Sequence, residues 1–100
     1  MILRVKRMHR GKLDVDVTEV PKELEEYVLW CMAMEYKPGT IIDRVRRLKK
    51  NNGDGKYYEV AKRSYERYLI FKSELGFEVK EPERIIKEYN KKIGYEFASF

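Results

Sequence analysis

Apolar and polar residues alternate along residues 2–18, ILRVKRMHRGKLDVDVT, and from residue 21 onward apolar positions recur at spacings of three and four. The alternation predicts two strands turning around Gly11. A three-residue loop of His9, Arg10 and Gly11, with Gly11 left-handed, sets Val5 opposite Val15 and Leu3 opposite Val17 on one face. The other face then pairs Arg4 with Asp16 and Lys6 with Asp14. A two-residue loop shifts the register by one and loses both sets of matches, so the three-residue loop is the expectation. An isolated hairpin is marginal in water, so the Leu3, Val5, Val15 and Val17 face is expected against the rest of the body or another chain.

Pro21 opens a first helix with Glu23, Glu25 and Glu26 where the helix dipole favours negative charge. Leu24, Tyr27, Val28, Cys31 and Met34 form its apolar stripe, and it should end near Tyr36, before Pro38. A second helix runs from Pro38 to about Lys50 on Ile41, Val45 and Leu48. NNGDG at 51–55 is a dense turn signal. The third helix, roughly Lys56 to Leu75, carries Tyr57, Ala61, Ser64, Tyr68, Phe71 and Leu75 on one seam with Tyr58, Tyr65 and Leu69 beside it, a face wide enough to be the spine of the core. Gly76 terminates it. Glu81 and Pro82 open a fourth helix with Ile85, Ile86, Tyr89 and Ile93 inward and Gly94 at its end, and the apolar, aromatic tail YEFASF is expected to dock. The fold class is therefore mainly α, a four-helix body over 21–100 preceded by a β-hairpin extension over 1–20.

Composition narrows the class. A hundred residues hold one core. The charged fraction is 39%, well above the roughly 25% of ordinary domains, yet the apolar share suffices for a core, so the chain is not disordered. Glutamine is absent and asparagine occurs only at 51, 52 and 90, a bias that suits a high-temperature proteome. Cys31 is the only cysteine, which excludes an intramolecular disulfide and reads as a buried thiol in a reducing compartment. The N-terminus is broken by charges, and no apolar run approaches the ~20 residues of a membrane span. A cytoplasmic protein without membrane partners is the expectation.

Charge then singles out one segment. Residues 37–50 hold six Lys and Arg and one Asp, whereas residues 19–36 hold five Glu and one Lys. With Ile41, Val45 and Leu48 turned inward, Arg44, Arg46, Arg47 and Lys50 are expected to point outward. Like charges at these spacings repel, so a polyanion along this face would relieve the repulsion and add contacts.

No other chemistry competes. One His and one Cys exclude a His or Cys metal site. Asp14 and Asp16 have cross-strand cations, and NNGDG lacks the Asp spacing and terminal Glu of a calcium loop. A Gly-rich phosphate loop and a Ser/His/Asp set are both missing, so neither an enzyme nor a cofactor is expected. Tyr57, Tyr65, Tyr68 and Tyr89 fall on inward seams, which leaves Tyr36, Tyr58 and Tyr95 as stacking candidates and favours duplex over single-strand binding.

The order of segments carries a resemblance. KELEEYVLWCMAMEY, the KPGT turn, the basic TIIDRVRRLKK, a loop, the long YYEVAKRSYERYLIFKSELG, and a last helix after EP resemble the N-terminal core-binding (SAM-like) domain of tyrosine recombinases over about residues 21–94. The similarity is greatest to archaeal and archaeal-virus integrases. Its specific parts are Pro38 with Thr40, and RYLIFKSELG running into Pro82. Lys37 stands where that family often has a small hydroxyl N-cap, and the hairpin is not a standard part of the domain. The resemblance implies one half of a clamp on double-stranded DNA, with the second and fourth helices toward the major groove. The implied contacts are Lys37, Thr40, Arg44, Arg46, Arg47 and Lys50, with Lys87, Asn90 and Lys91 on the fourth helix. A separate recombinase catalytic domain or further integrase copies are the implied partners. Tyr89 and Tyr95 have nothing around them to activate a nucleophile, so this chain is expected to bind DNA and not cut it. The alternative is a small protein-interaction module of viral or mobile-element origin, in which acidic first and basic second helices of two copies meet or the hairpin augments a partner sheet.

Overall fold

The computed structural model describes residues 1–50 and 55–100, apart from the side chains of His9 and Lys50. Strands β1 (Ile2–His9) and β2 (Lys12–Glu19) form an antiparallel hairpin, and a 3-10 turn (Lys22–Leu24) leads into α1 (Glu25–Ala33), α2 (Pro38–Lys50), α3 (Lys56–Leu75), α4 (Pro82–Ile93) and a short β3 (Ala98–Ser99). The fold is mostly helical, with four α-helices and an N-terminal strand pair. Of the NNGDG turn only Gly55 lies within the described residues; it precedes the first turn of α3.

The hairpin register differs from the expected one. Leu3 faces Thr18, Val5 faces Asp16 and His9 faces Lys12. The loop is the two residues Arg10 and Gly11, both left-handed at φ 51° and 77°, the type I′ geometry whose twist matches that of the flanking strands. Leu3, Val5, Thr18 and Val20 are consequently buried, while Met8, Leu13, Val15 and Val17 lie exposed on the outer face. The expected Arg4–Asp16 and Lys6–Asp14 pairs are absent, since Arg4 and Lys6 sit opposite Val17 and Val15. Asp16 turns inward to Arg7 at 3.0 Å.

The C-terminal tail adds a third strand. It docks with Phe97 and Ala98 buried, and β3 pairs with β1 to give the order β2-β1-β3. Strand β1 is thus central, and β2 is an edge on the side away from the tail. Asn90 holds the tail by accepting from the Phe97 and Ala98 N–H groups at 3.0 and 3.1 Å and donating to the Ala98 carbonyl at 2.9 Å.

Helix α1, not α3, is the spine. Every residue from Tyr27 to Met32 is buried, the condition of a helix apolar on all sides, whereas Met34 is exposed. Trp30 lies among Tyr27, Tyr36, Tyr68 and Phe71 with ring centres 5.8–6.1 Å away, and its indole N–H has no acceptor among the described residues. The helix stops short of Tyr36. Glu35 is left-handed at φ 64°, and the Tyr36 and Glu35 N–H groups bond back to the Cys31 and Met32 carbonyls at 3.1 and 3.0 Å, a Schellman ending without glycine. The Tyr36 carbonyl in turn accepts from the Tyr89 hydroxyl, tying the chain to α4. Leu3, Val5, residues of α1, Ile41, Ile42, Val45, Tyr68, Ile86, Tyr89 and Phe97 belong to one cluster, so hairpin and helices share a core.

Polar bonds at the margin of α1 complete the packing. Glu26 accepts from the Tyr68 hydroxyl at 2.6 Å and meets Lys72 Nζ at 2.6 Å. The bonds from Lys72 and Tyr68 hold its carboxyl below the ordinary 4.5, against the opposing effect of burial. A depressed carboxyl contributes stability above its ordinary value and loses it as pH falls through the folded one. Glu26→Gln should therefore be less stable than the natural chain at pH 7, the gap closing as pH falls from about 5 to about 3, read from denaturation midpoints across that range. The hairpin supplies a second check. Arg10→Asn should stabilise by roughly 0.5–1 kcal/mol, since asparagine enters the left-handed region more readily than arginine. The three-residue loop would keep Arg10 right-handed, and no gain in the thermal midpoint would then be seen.

Candidate functional site

Helix α2 buries Ile41, Ile42 and Val45 completely and Leu48 in part. This face is wider than the sequence stripe, because the helix is held between α3 on one flank and β1 on the other. Its cations are sorted between those flanks.

The hairpin flank is committed to the fold. Arg46 donates from Nε to Thr18 Oγ1 at 2.9 Å and lies 3.7 Å from Asp16. Arg7 bridges Asp16 and Asp43 at 3.0 and 3.1 Å, and Lys49 donates to the Glu19 carbonyl at 2.8 Å. Arg46, expected to point outward, instead fastens α2 to β2. The inward Asp16 of the shifted register is what draws it there.

The α3 flank is open. Arg44 is half-buried, not outward: Nη1 donates to Ser64 Oγ at 3.0 Å, and the guanidinium stands 5.0 Å from the centre of the Tyr36 ring. Ser64, itself buried, shares a 2.8 Å hydrogen bond with the Tyr27 hydroxyl, so one oxygen joins α1, α2 and α3. Arg47 is exposed, its guanidinium 5.0 Å from the centre of the Tyr57 ring. Tyr57, expected on an inward seam, is 70% exposed in the first turn of α3. Thr40, Asp43, Arg44, Arg47, Tyr57 and Val60 line a cleft of about 370 Å³. Neither Arg44 nor Arg47 has an ion-pair partner among the described residues.

The remaining candidates lie elsewhere. Lys37 precedes Pro38 as the N-cap residue, its carbonyl accepting from the Ile41 N–H at 3.0 Å. Lys50 closes α2, with its side chain outside the described residues. Lys87 and Asn90 line a different groove with Glu83, Glu96 and Phe100, and the Asn90 amide is occupied by the tail. Lys91 is exposed on α4. The structure therefore gathers Thr40, Arg44 and Arg47 in one cleft and leaves the α4 residues out of it. Tyr57 and Val60 were missed because the start of α3 shares a cleft with Arg47 only in the folded chain, a proximity that no spacing records. Of the stacking candidates, Tyr36 carries Arg44, Tyr58 is half-buried, and Tyr95 has Lys6 at 5.7 Å.

Burial pushes the Cys31 thiol up to about 12 and raises the Tyr27, Tyr68 and Tyr89 phenols, so each stays protonated at neutral pH. Among the described residues no three His, Cys, Asp or Glu are grouped to hold a metal, and no helix is long and apolar enough to cross a membrane. What the cleft offers is two guanidinium groups, a hydroxyl and an aromatic face. Comparison with known proteins finds no family model, no curated protein and no solved structure that matches the chain.

Proposed function

We propose that the chain is a DNA-binding domain of the core-binding kind, which holds a duplex by its phosphates through α2 and the facing end of α3. The observation that carries this reading is the pair Arg44 and Arg47, each stacked on a tyrosine, in an open cleft on a segment with six cations and one carboxylate. A solvated surface would pair its cations with neighbouring acids; here the one acid of α2, Asp43, is engaged by Arg7. Planar guanidinium groups already held on rings lose little freedom on meeting phosphate.

The test is anisotropy of a labelled duplex over a series of salt concentrations. Affinity should fall steeply as salt rises, and Arg47→Ala should weaken binding severalfold and reduce the slope of log K against log salt by about one, with thermal stability unchanged. Arg44→Ala should lose both affinity and stability, because it also removes the bond to Ser64. Affinity indifferent to Arg47→Ala would remove α2 from the interface.

One observation favours a second reading, a protein-interaction module. Met8, Leu13, Val15 and Val17 form an exposed apolar face on the hairpin, and β2 is an open edge, the features that permit strand addition. The version in which an acidic first helix meets a basic second one has less support, since Glu25 and Glu26 are already paired with the N-terminus and Lys72. On this reading sedimentation velocity at micromolar concentration gives a dimer that Val15→Lys returns to monomer, and DNA is ignored.

A further inference from the structure

We infer that the α2–α3 cleft takes one unpaired nucleotide of the bound DNA, with its base on the Tyr57 ring and its phosphate on Arg47 and Arg44. This rests on the DNA-binding reading above and names the structure within the DNA that the cleft recognises.

A surface built for duplex phosphates needs cations and hydroxyls. It can use a ring to hold a guanidinium group, but not the ring surface and aliphatic side chain that stay in the open. Tyr57 is 70% exposed and Val60 46% exposed, both lining the same cleft as the two arginines. The core does not use the Tyr57 ring, and Arg47 steadies it from 5.0 Å. With most of the residue still accessible, ring surface is left for a second planar partner. Within a duplex both faces of a base are covered by its neighbours and only its edges reach the grooves, so an intact duplex has nothing to lay on that ring. An unpaired base does, and stacking on an aromatic side chain is how such bases are commonly held.

The rest of the cleft suits the remainder of a nucleotide. A volume of about 370 Å³ lies in the range of roughly 300–1,000 Å³ typical of small-molecule sites. Arg44 is fixed by Ser64 and the Tyr36 ring, which places a guanidinium at the inner side of the cleft before anything binds. Thr40 adds a hydroxyl. Asp43 is the one lining group that would repel a phosphate, and its carboxylate is bonded to Arg7 on the hairpin.

Three labelled probes of one length and sequence test this by anisotropy: an intact duplex, the same duplex with one unpaired nucleotide at its centre, and that duplex with the base removed from the unpaired position. The unpaired nucleotide should tighten binding about tenfold over the intact duplex, and removal of its base should abolish the gain. Tyr57→Leu should abolish the ratio between interrupted and intact duplex, beyond the smaller loss of intact-duplex affinity that follows from releasing Arg47, whereas Tyr57→Phe should keep it. Equal affinity for intact and interrupted duplex, or a preference that survives Tyr57→Leu, overturns the inference but leaves the DNA-binding proposal standing. Absence of binding to all three probes overturns both.

Discussion

Between Tyr27 and Met32, helix α1 has no face that meets water. Its residues from Tyr27 to Met32 are all buried, so the neighbouring elements must enclose it from every direction. Helices α2, α3 and α4 each pack against it, and the inner residues of the sheet join the same cluster. Burying side chains of this size is worth about 1.5–3 kcal/mol each, which makes enclosure of α1 a dominant favourable term. The Trp30 N–H, which has no acceptor among the described residues, is the counterpart of that demand, since the indole is surrounded by aromatic rings.

Enclosure decides what the cationic helix can offer. Helix α2 has to turn Ile41, Ile42 and Val45 toward the core, and its flanks then meet the hairpin and α3. On the hairpin side Arg46 and Lys49 find acceptors and serve as fasteners. On the α3 side Arg44 reaches Ser64, whose oxygen also holds Tyr27, while Arg47 finds an aromatic ring in place of an acid. A helix with cations over much of its surface is thereby reduced to one open cleft, rigid on its inner side and accessible at Tyr57.

Several elements were legible because local chemistry dictates them. Pro38 and Pro82 begin helices, Gly76 and Gly94 end them in left-handed conformations, and the alternation up to Thr18 makes a hairpin. The apolar tail had to dock. Within the site, the cationic excess of residues 37–50 was plain. The individual roles of Arg44, Arg46 and Tyr57 were not, since each depends on a residue at least ten positions away: Ser64, Thr18 and Arg47. The stripe expected for the first helix is buried at Leu24, Tyr27, Val28 and Cys31 and exposed at Met34, and it is only part of the buried surface. In a run as apolar as YVLWCMAM, any subset at spacings of three and four looks like a face, and the remaining positions go unremarked.

By itself, then, the sequence determined the number and order of the helices, the presence of the hairpin and the location of the positive charge, because turns, caps and periodicity act within a few residues. Tertiary structure alone decided the hairpin register, the choice of α1 as spine and the division of α2's cations into fasteners and cleft. The register shows why. Matching apolar pairs within an isolated hairpin favoured a three-residue loop, but in the folded chain Leu13, Val15 and Val17 lie outside while Asp16 and Thr18 turn in to Arg46 on α2. Those contacts join residues far apart in the chain, and their energies exist only once the chain has closed upon itself.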